Sequence, residues 1–205
     1  MNQRLDAQRN RAKLVAAAAE VFREDGAAAP LDLVARRAAV GRGTLYRHFP
    51  DRGSLVAAVL DLRMAALERY AATYPGDDLL EHLLVEICAL QLDTPGLMTV
   101  VRSSPDPRLH LDELTRRTSS LLSAAVHVAH RAGTVRPDVT LTDVHLAVAM
   151  VDGVISMLPR TPGADPVARA LELVLRALRS PDRAAEPVPA PELRLATPQD
   201  VDAAD

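Results

Sequence analysis

Hydrophobic residues recur every three or four positions along most of the chain, the spacing that one face of an α-helix requires. In the first such segment Leu14, Ala18, Val21 and Phe22 fall on one stripe, and Gly26 is placed to end the helix. No stretch alternates for long between hydrophobic and polar residues, as a half-buried strand would. The pattern therefore predicts an all-α fold.

Residues that start and stop helices divide the following positions into three more helices. Pro30 opens a short helix, residues 42–48 form another, and Asp51 is the expected N-cap of a long helix that reaches about Tyr74. Residues 39–41 leave room only for a tight turn. Two short helices joined by such a turn and packed on a preceding helix describe a helix-turn-helix unit.

The chain beyond this unit is predicted to form further helices, separated by Gly, Pro and capping residues. The predicted segments are 77–92, 94–102, a long helix opened by Asp106-Pro107 and ended by Gly133, a helix from a Thr140/Asp143 capping box to Leu158, and a last helix opened by Asp165-Pro166. Residues 181–205 contain five prolines and six acidic residues and have little to bury. They are predicted to be a disordered tail.

Composition narrows the class of protein. The 205 residues include one cysteine, Cys88, which excludes an internal disulfide and favours a reducing compartment. A polar N-terminus and the absence of a long apolar run predict neither a secretion signal nor a membrane span, so we expect a cytoplasmic protein. Residues 1–63 hold 11 Lys and Arg against 7 Asp and Glu, whereas residues 64–205 hold 13 against 20. A modest basic excess in the first part favours an anionic partner there, although a solvated surface explains it nearly as well.

The stretch "VGRGTLYRHF" places unusual residues on its short helix. At about 100° per residue, Leu45 and Phe49 share an inner face, and Gly43 and Arg47 lie opposite it. Glycine inside a helix costs roughly 1 kcal/mol relative to alanine, which a close approach by another surface would justify. A DNA major groove accepts a helix of this kind. The alternative is an amphipathic helix whose polar face is simply solvated, but that does not explain why Gly43 and Tyr46 stand there.

Residues 9–63 resemble the DNA-binding domain of the tetracycline-repressor (TetR-like) family of transcriptional regulators. The resemblance lies in "AAVGRGTLYRHFPDRGSLVAAVL" after a first helix containing "AAAEVFREDG". It implies a helix-turn-helix DNA-binding domain over residues 1–63, with an N-terminal arm at about 1–8, and a larger helical effector-binding and dimerisation domain over 64–180. It also implies a repressor that binds a palindromic operator in double-stranded DNA as a homodimer, is released by a small-molecule effector, and needs no cofactor.

The resemblance also implies roles for individual residues of the DNA-binding domain. Base reading falls to Arg42, Gly43 and Thr44, phosphate contacts to Tyr46, His48 and Arg52, and either role to Arg47. The arm could add backbone or minor-groove contacts through Arg4, Arg9 and Arg11.

Three positions depart from the family pattern. Ala39 stands where the family usually has a glycine, so a left-handed backbone there would be strained. Gly41 replaces the usual serine cap of the recognition helix, at an expected cost of a few tenths of a kcal/mol. The pair Ala29-Pro30 replaces a usual threonine, so no DNA contact is predicted there.

For the second domain the resemblance implies a dimer built on the last two helices, around 140–158 and 165–179. Two features fit this role: the small residues Ala147, Ala149 and Gly153, and an apolar seam of Leu171, Val174 and Leu178. Burial in the core of a single subunit explains these residues about as well.

The effector pocket is expected to be aliphatic, because all five aromatic residues lie within the first 74 positions. The candidate lining residues are Met64, Leu67, Ile87, Gln91, Met98, Arg102, Leu122, Met150 and Met157. No metal site is predicted, since His127 and His130 lack further ligands at a suitable spacing. Cys88 lies in an apolar run and is expected to be an inert core thiol.

Two other functions stay open at this point. One is an all-helical small-molecule-binding protein or enzyme with a vestigial DNA-reading helix, although no catalytic motif supports an enzyme. The other is a structural DNA-bound protein that senses nothing, which would need no cavity in its second domain.

Overall fold

The chain folds into α-helices, as its apolar spacing predicts. A computed structural model describes residues 2–94, 97, 100, 111–157, 165–193, 195 and 197–203. The helices in these ranges are α1 Asn2–Asp25, α2 Leu31–Arg37, α3 Arg42–His48, α4 Arg52–Thr73, α5 Leu79–Asp93, α6 Leu111–Ala132, α7 Leu141–Met157, α8 Pro166–Leu178 and α9 Pro198–Ala203, with a 3₁₀ turn at Pro181–Arg183. None of the helices described is long and apolar enough to cross a membrane. The all-α prediction is confirmed, whereas α9 was not predicted.

Several helix ends follow the predicted capping chemistry. Gly26 and Gly133, which follow α1 and α6, have the positive φ angles of +83° and +68° that helix-ending glycines adopt. The Asp51 carboxylate accepts the backbone N–H three residues later at 2.7 Å. Thr140 and Asp143 form a reciprocal capping box, in which the Thr140 N–H donates to the Asp143 carboxylate at 2.7 Å and the Asp143 N–H donates to the Thr140 hydroxyl at 3.3 Å. Local chemistry therefore sets these boundaries.

The chain divides into two compact units. Unit 1 contains Met1–Ala65 together with the described parts of Thr94–Leu114 and Arg194–Asp205, and unit 2 contains Ala66–Asp93 and Thr115–Leu193. The first division therefore falls within α4, two residues beyond the predicted boundary at residue 63. The predicted division did not anticipate that two later segments join unit 1.

In unit 1, the middle of α1 is buried around its whole circumference. All six residues from 14 to 19 are at most 7% exposed, and six residues span more than one and a half turns. Helices α2 and α3 pack against α1, and so does α9. Leu195, just before α9, packs against the same hydrophobic core. Residues near the C-terminal end of the sequence thus complete the core around α1.

In unit 2, α5 packs against α7 and α8, and α7 packs against α8. Arg117 of α6 donates to both carboxylate oxygens of Glu68 in α4, at 3.0 and 2.6 Å. Ala147, Leu171 and Leu178, which were considered for a seam between subunits, are buried within the chain. For these three residues the alternative of ordinary core faces is the correct one.

Residues 181–193 differ from the predicted disordered tail. Arg179 is buried and donates to the carbonyl oxygens of Glu186 and Pro187, the second at 3.0 Å. Glu86 is buried in α5 and accepts the backbone N–H groups of residues 192 and 193, the latter at 3.1 Å. The segment has few apolar side chains to bury, but its backbone is held by the buried charges of Arg179 and Glu86.

Candidate nucleic-acid interface

The turn between α2 and α3 is strained at one residue. Ala39 has φ +54°, and among the residues that the structure describes it is the one non-glycine with a positive φ. A left-handed backbone costs a residue with a Cβ roughly 1–2 kcal/mol. Hydrogen bonds from the Ala39 N–H to the Arg36 carbonyl at 3.1 Å and from the Val40 N–H to the Ala35 carbonyl at 3.0 Å hold the turn. The strain predicted at Ala39 is present.

Helix α3 is fixed to unit 1 through its inner face. Leu45 and Phe49 are both buried, as predicted, and the Phe49 N–H donates to the Leu45 carbonyl at 2.8 Å. The Arg11 guanidinium of α1 lies 5.2 Å from the centroid of the Phe49 ring, within the range of a cation–π contact. Gly41 begins α3 with φ −71° and without a side-chain cap. The helix is thus held by packing rather than by its own N-terminal capping.

The outer face of α3 is open. Gly43 and Arg47 are exposed, and Tyr46 is 45% exposed although it is a large aromatic residue. A Cβ built on Gly43 would meet no heavy atom of other residues within 4 Å, and its φ is not in the left-handed region. Thr44 is half-buried beside this face. Neither the packing nor the backbone of this chain therefore requires a glycine at position 43.

Two of the predicted DNA-contacting arginines are oriented by neighbouring elements. The Arg42 side chain is 69% exposed, and its Nε lies 2.9 Å from the Asp32 carboxylate of α2. Arg52 donates from Nη1 to the Ala27 carbonyl at 2.8 Å. The Arg42–Asp32 pair was not predicted, because nothing in the sequence shows which residues the turn brings together.

His48, at the end of α3, is a less accessible candidate. Its Nε2 atom is buried and has no hydrogen-bond partner, so that atom does not face a phosphate in this arrangement. Burial, together with the nearby charges of Arg47 and Arg11, lowers the pKa of His48. The imidazole is therefore neutral at neutral pH.

The described pocket candidates lie in different surroundings. Ile87 and Gln91 line a void of only about 10 Å³. Met150 and Met157 are 58% and 82% exposed on α7, so their assignment to a pocket within the chain is corrected. The remaining candidates are either buried within a unit, as are Met64, Leu67 and Leu122, or lie outside the described residues, as do Met98 and Arg102. The sequence shows apolar helix faces but not which neighbour each one meets.

A larger cavity of about 540 Å³ lies in unit 2, between α5, α8 and residues 185–191. Val85, Cys88 and Ala89 of α5 contribute to its wall. Burial raises the pKa of Cys88 to about 11, so this thiol is neutral at neutral pH and reacts slowly there. Within the described ranges, no group of three or more His, Cys, Asp or Glu residues is placed to hold a metal ion.

The helix-turn-helix and the exposed face of α3 define the class of helix-turn-helix transcriptional regulators. A model of the bacterial regulatory proteins of the tetR family matches residues 14–59. The TetR transcriptional regulator SCO0520 of Streptomyces coelicolor has a similar structure, with 31% identity, a TM-score of 0.62, and coverage of 83% of this chain and 99% of that one. The chain belongs to the TetR family of transcriptional regulators and is not an enzyme.

Other relatives agree with this assignment. A TetR regulator of Mycobacterium vanbaalenii has a TM-score of 0.60 at 26% identity, covering 87% of this chain and 99% of that one. An HTH-type transcriptional regulator of Mycobacterium bovis is 35% identical over 109 residues, which span 50% of this chain and 57% of that regulator. UidR of Escherichia coli K12, another HTH-type regulator, is 24% identical over 147 residues, or 67% of this chain and 75% of UidR.

Proposed function

We propose that this protein is a transcriptional repressor that binds a palindromic DNA operator as a homodimer and is released from it by a small-molecule effector. The outer face of α3 carries the proposal. Gly43 leaves a gap there that nothing in the chain fills, and Tyr46 and Arg47 project beside it.

A DNA major groove fits this face physically. The groove is about 12 Å wide and admits a helix, and arginine can pair with both acceptors of a guanine. With no side chain at Gly43, the backbone of α3 approaches the base edges closely, while Arg42, Thr44 and Arg47 read bases. Tyr46 and Arg52 contact phosphates from the two sides of the helix.

The dimer is proposed to form through one face of α7. Leu146, Met150 and Met157 are 55%, 58% and 82% exposed, and with Gly153 they follow a spacing of four, three and four residues. This spacing places all four on one stripe, as in a helix–helix seam. Leu173 of α8 is a further exposed apolar residue, at 51%. A second copy of the chain would cover this surface, with Gly153 permitting close approach.

DNA binding is tested by selecting preferred sequences from a random duplex library and measuring affinity by fluorescence anisotropy at two salt concentrations. Tyr46→Ala and Arg47→Ala are expected to weaken binding to the selected site, and higher salt is expected to weaken it in all variants because phosphate neutralisation releases counterions. Arg131→Ala removes one exposed positive charge from α6 and serves as the matched control with nearly unchanged affinity. Failure to select any sequence would contradict the proposal.

Dimerisation is tested by sedimentation velocity. Met150→Glu places a charge on the proposed seam and is expected to shift the protein to monomer, while the fold is retained because the residue is exposed within one chain. Leu5→Glu makes the same change at another exposed apolar position, in α1, and is expected to leave the dimer intact. A wild-type protein that sediments as a monomer at all concentrations would refute the dimer.

A further inference from the structure

We infer that the cavity between α5, α8 and residues 185–191 binds the effector, and that this effector is a neutral, flexible aliphatic molecule. We call residues 186–193 the strap; the segment has no regular secondary structure, and its residues 186–189 and 191 line one side of the cavity. The inference rests on the proposed function only in naming the occupant as the effector. A volume of about 540 Å³ falls within the range of about 300–1,000 Å³ that small-molecule pockets occupy.

The strap is held at both ends by buried charges. At its start, Arg179 binds the carbonyl oxygens of Glu186 and Pro187 and also forms an ion pair with Glu81. At its end, the Glu86 carboxylate accepts the last two backbone N–H groups of the strap. Buried charges are unfavourable unless they are fully partnered, and here the strap supplies the partners. The strap is therefore a fixed wall of the cavity rather than a loose tail.

The middle of the strap suits an apolar cavity. Pro187, Pro189 and Pro191 alternate along it and have no backbone N–H, so these positions present no unsatisfied donor to the space beneath. Proline also favours the extended backbone that spans the two anchors. Val188, between the first two prolines, lines the cavity as well. The strap thus closes the cavity with hydrocarbon surface.

The opposite walls are aliphatic in the same way. On α5 the lining includes Val85, Ala89 and the neutral thiol of Cys88, and on α8 it includes Val167 and Leu171. No aromatic side chain contributes to the lining, so a flat aromatic ligand would find no stacking partner. These walls favour a flexible aliphatic chain.

The charged residues at the cavity are already partnered. Glu172 lies 2.7 Å from both Arg169 and Arg176, so one carboxylate partners two guanidinium groups. Asp165 accepts the N–H groups of the first turn of α8, at 3.1 and 3.0 Å. Glu186 forms an ion pair with Arg183 at 2.6 Å. Because each of these charged groups already has a partner, a charge on the ligand gains little here, and the apolar walls favour a neutral molecule.

The single cysteine provides a local reporter, because Cys88 lines the cavity and the sequence has no other thiol. Alkylation of the full chain by N-ethylmaleimide is followed by intact mass, with and without 1-octanol. Bound octanol shields the thiol, and at ten times its Kd it is expected to slow alkylation about ten-fold. Octanoate and octylammonium, which have the same chain length but carry a charge, are expected to protect much less.

Variants test the location of the site. Ala89→Leu fills the α5 wall and Ala168→Leu fills the α8 side, and each is expected to abolish protection by 1-octanol relative to its own unliganded rate. Two variants are used so that one remains informative if the other fails to fold. Ala124→Leu makes the same change at an exposed position of α6 that does not line the cavity, and protection is expected to persist.

Each failure has a distinct meaning. Absence of protection in wild type, or protection that survives in both cavity-filling variants, overturns the assignment of the cavity. Equal protection by the three probes overturns the preference for a neutral ligand. A protein that shows the expected protection but selects no DNA sequence would leave the cavity standing and refute the proposed function instead.

Discussion

Replacing Gly43 with alanine is expected to change stability and DNA binding in opposite directions. Beyond its chain neighbours and the backbone of its own helix, the added Cβ meets no heavy atom within 4 Å, so no clash offsets the gain in helix propensity. Glycine is less favourable than alanine within a helix by about 0.5–1 kcal/mol. For a protein of this size that gain corresponds to a rise in Tm of about 1–4 °C.

The effect on DNA binding follows from the proposed close approach of α3 to the groove. A methyl group at position 43 would separate α3 from the base edges, and we expect a loss of affinity of at least about ten-fold, or about 1.4 kcal/mol. Urea unfolding measures the first effect, and anisotropy with a selected operator duplex measures the second. A scrambled duplex is the control, because contacts to the DNA backbone are largely independent of sequence.

The two measurements together decide the question. A stabilised Gly43→Ala protein with unchanged operator affinity would refute the argument that the glycine exists for close approach. A destabilised protein would show that position 43 is constrained within the chain, contrary to the open space around it.

Three further predictions concern stability. Ala39→Gly should raise the free energy of unfolding by about 0.5–1 kcal/mol in urea titration. The relief of the left-handed strain exceeds the stabilisation that glycine's extra entropy gives the unfolded chain. An unchanged free energy of unfolding would contradict the strain at Ala39. Arg179→Met should destabilise by about 3–5 kcal/mol in the same assay, since it removes a buried charge and leaves the largely buried Glu81 without this ion pair. Arg176→Met at the exposed pair should cost under about 1 kcal/mol. The lowered pKa of His48 means that protonation favours the unfolded state, so stability should fall as pH drops below about 6.5, and less steeply in His48→Gln; parallel pH profiles would exclude this role.

The DNA-binding unit was largely predictable because its signals are local. Capping residues such as Asp51 fix helix ends within a few positions, and the inward spacing of Leu45 and Phe49 orients α3. Even the strain at Ala39 follows from one residue in one turn. These signals act between residues close together in the sequence, so they can be recognised without knowing the tertiary contacts.

The cavity could not be predicted for the converse reason. Met150 and Ile87 have similar apolar helical surroundings in sequence, yet Met150 is exposed and Ile87 is half-buried beside a small void. The strap is rich in proline, which predicts disorder, and its anchors Arg179 and Glu86 lie in other segments. Which faces meet, and which charges are buried, depends on contacts between residues far apart in the chain.

The packing of α9 against α1 has a consequence for synthesis of the protein. Unit 1 uses residues from the start of the chain and from positions 198–203, which are separated by almost the whole polypeptide. Closing so long a loop is a late event, since its entropy must be lost before the contact forms. During synthesis, the apolar side of α1 that packs against α9 therefore stays exposed until residue 203 has left the ribosomal exit tunnel. Most of the DNA-reading unit is made before the residues that complete it, and we expect its folding to finish late.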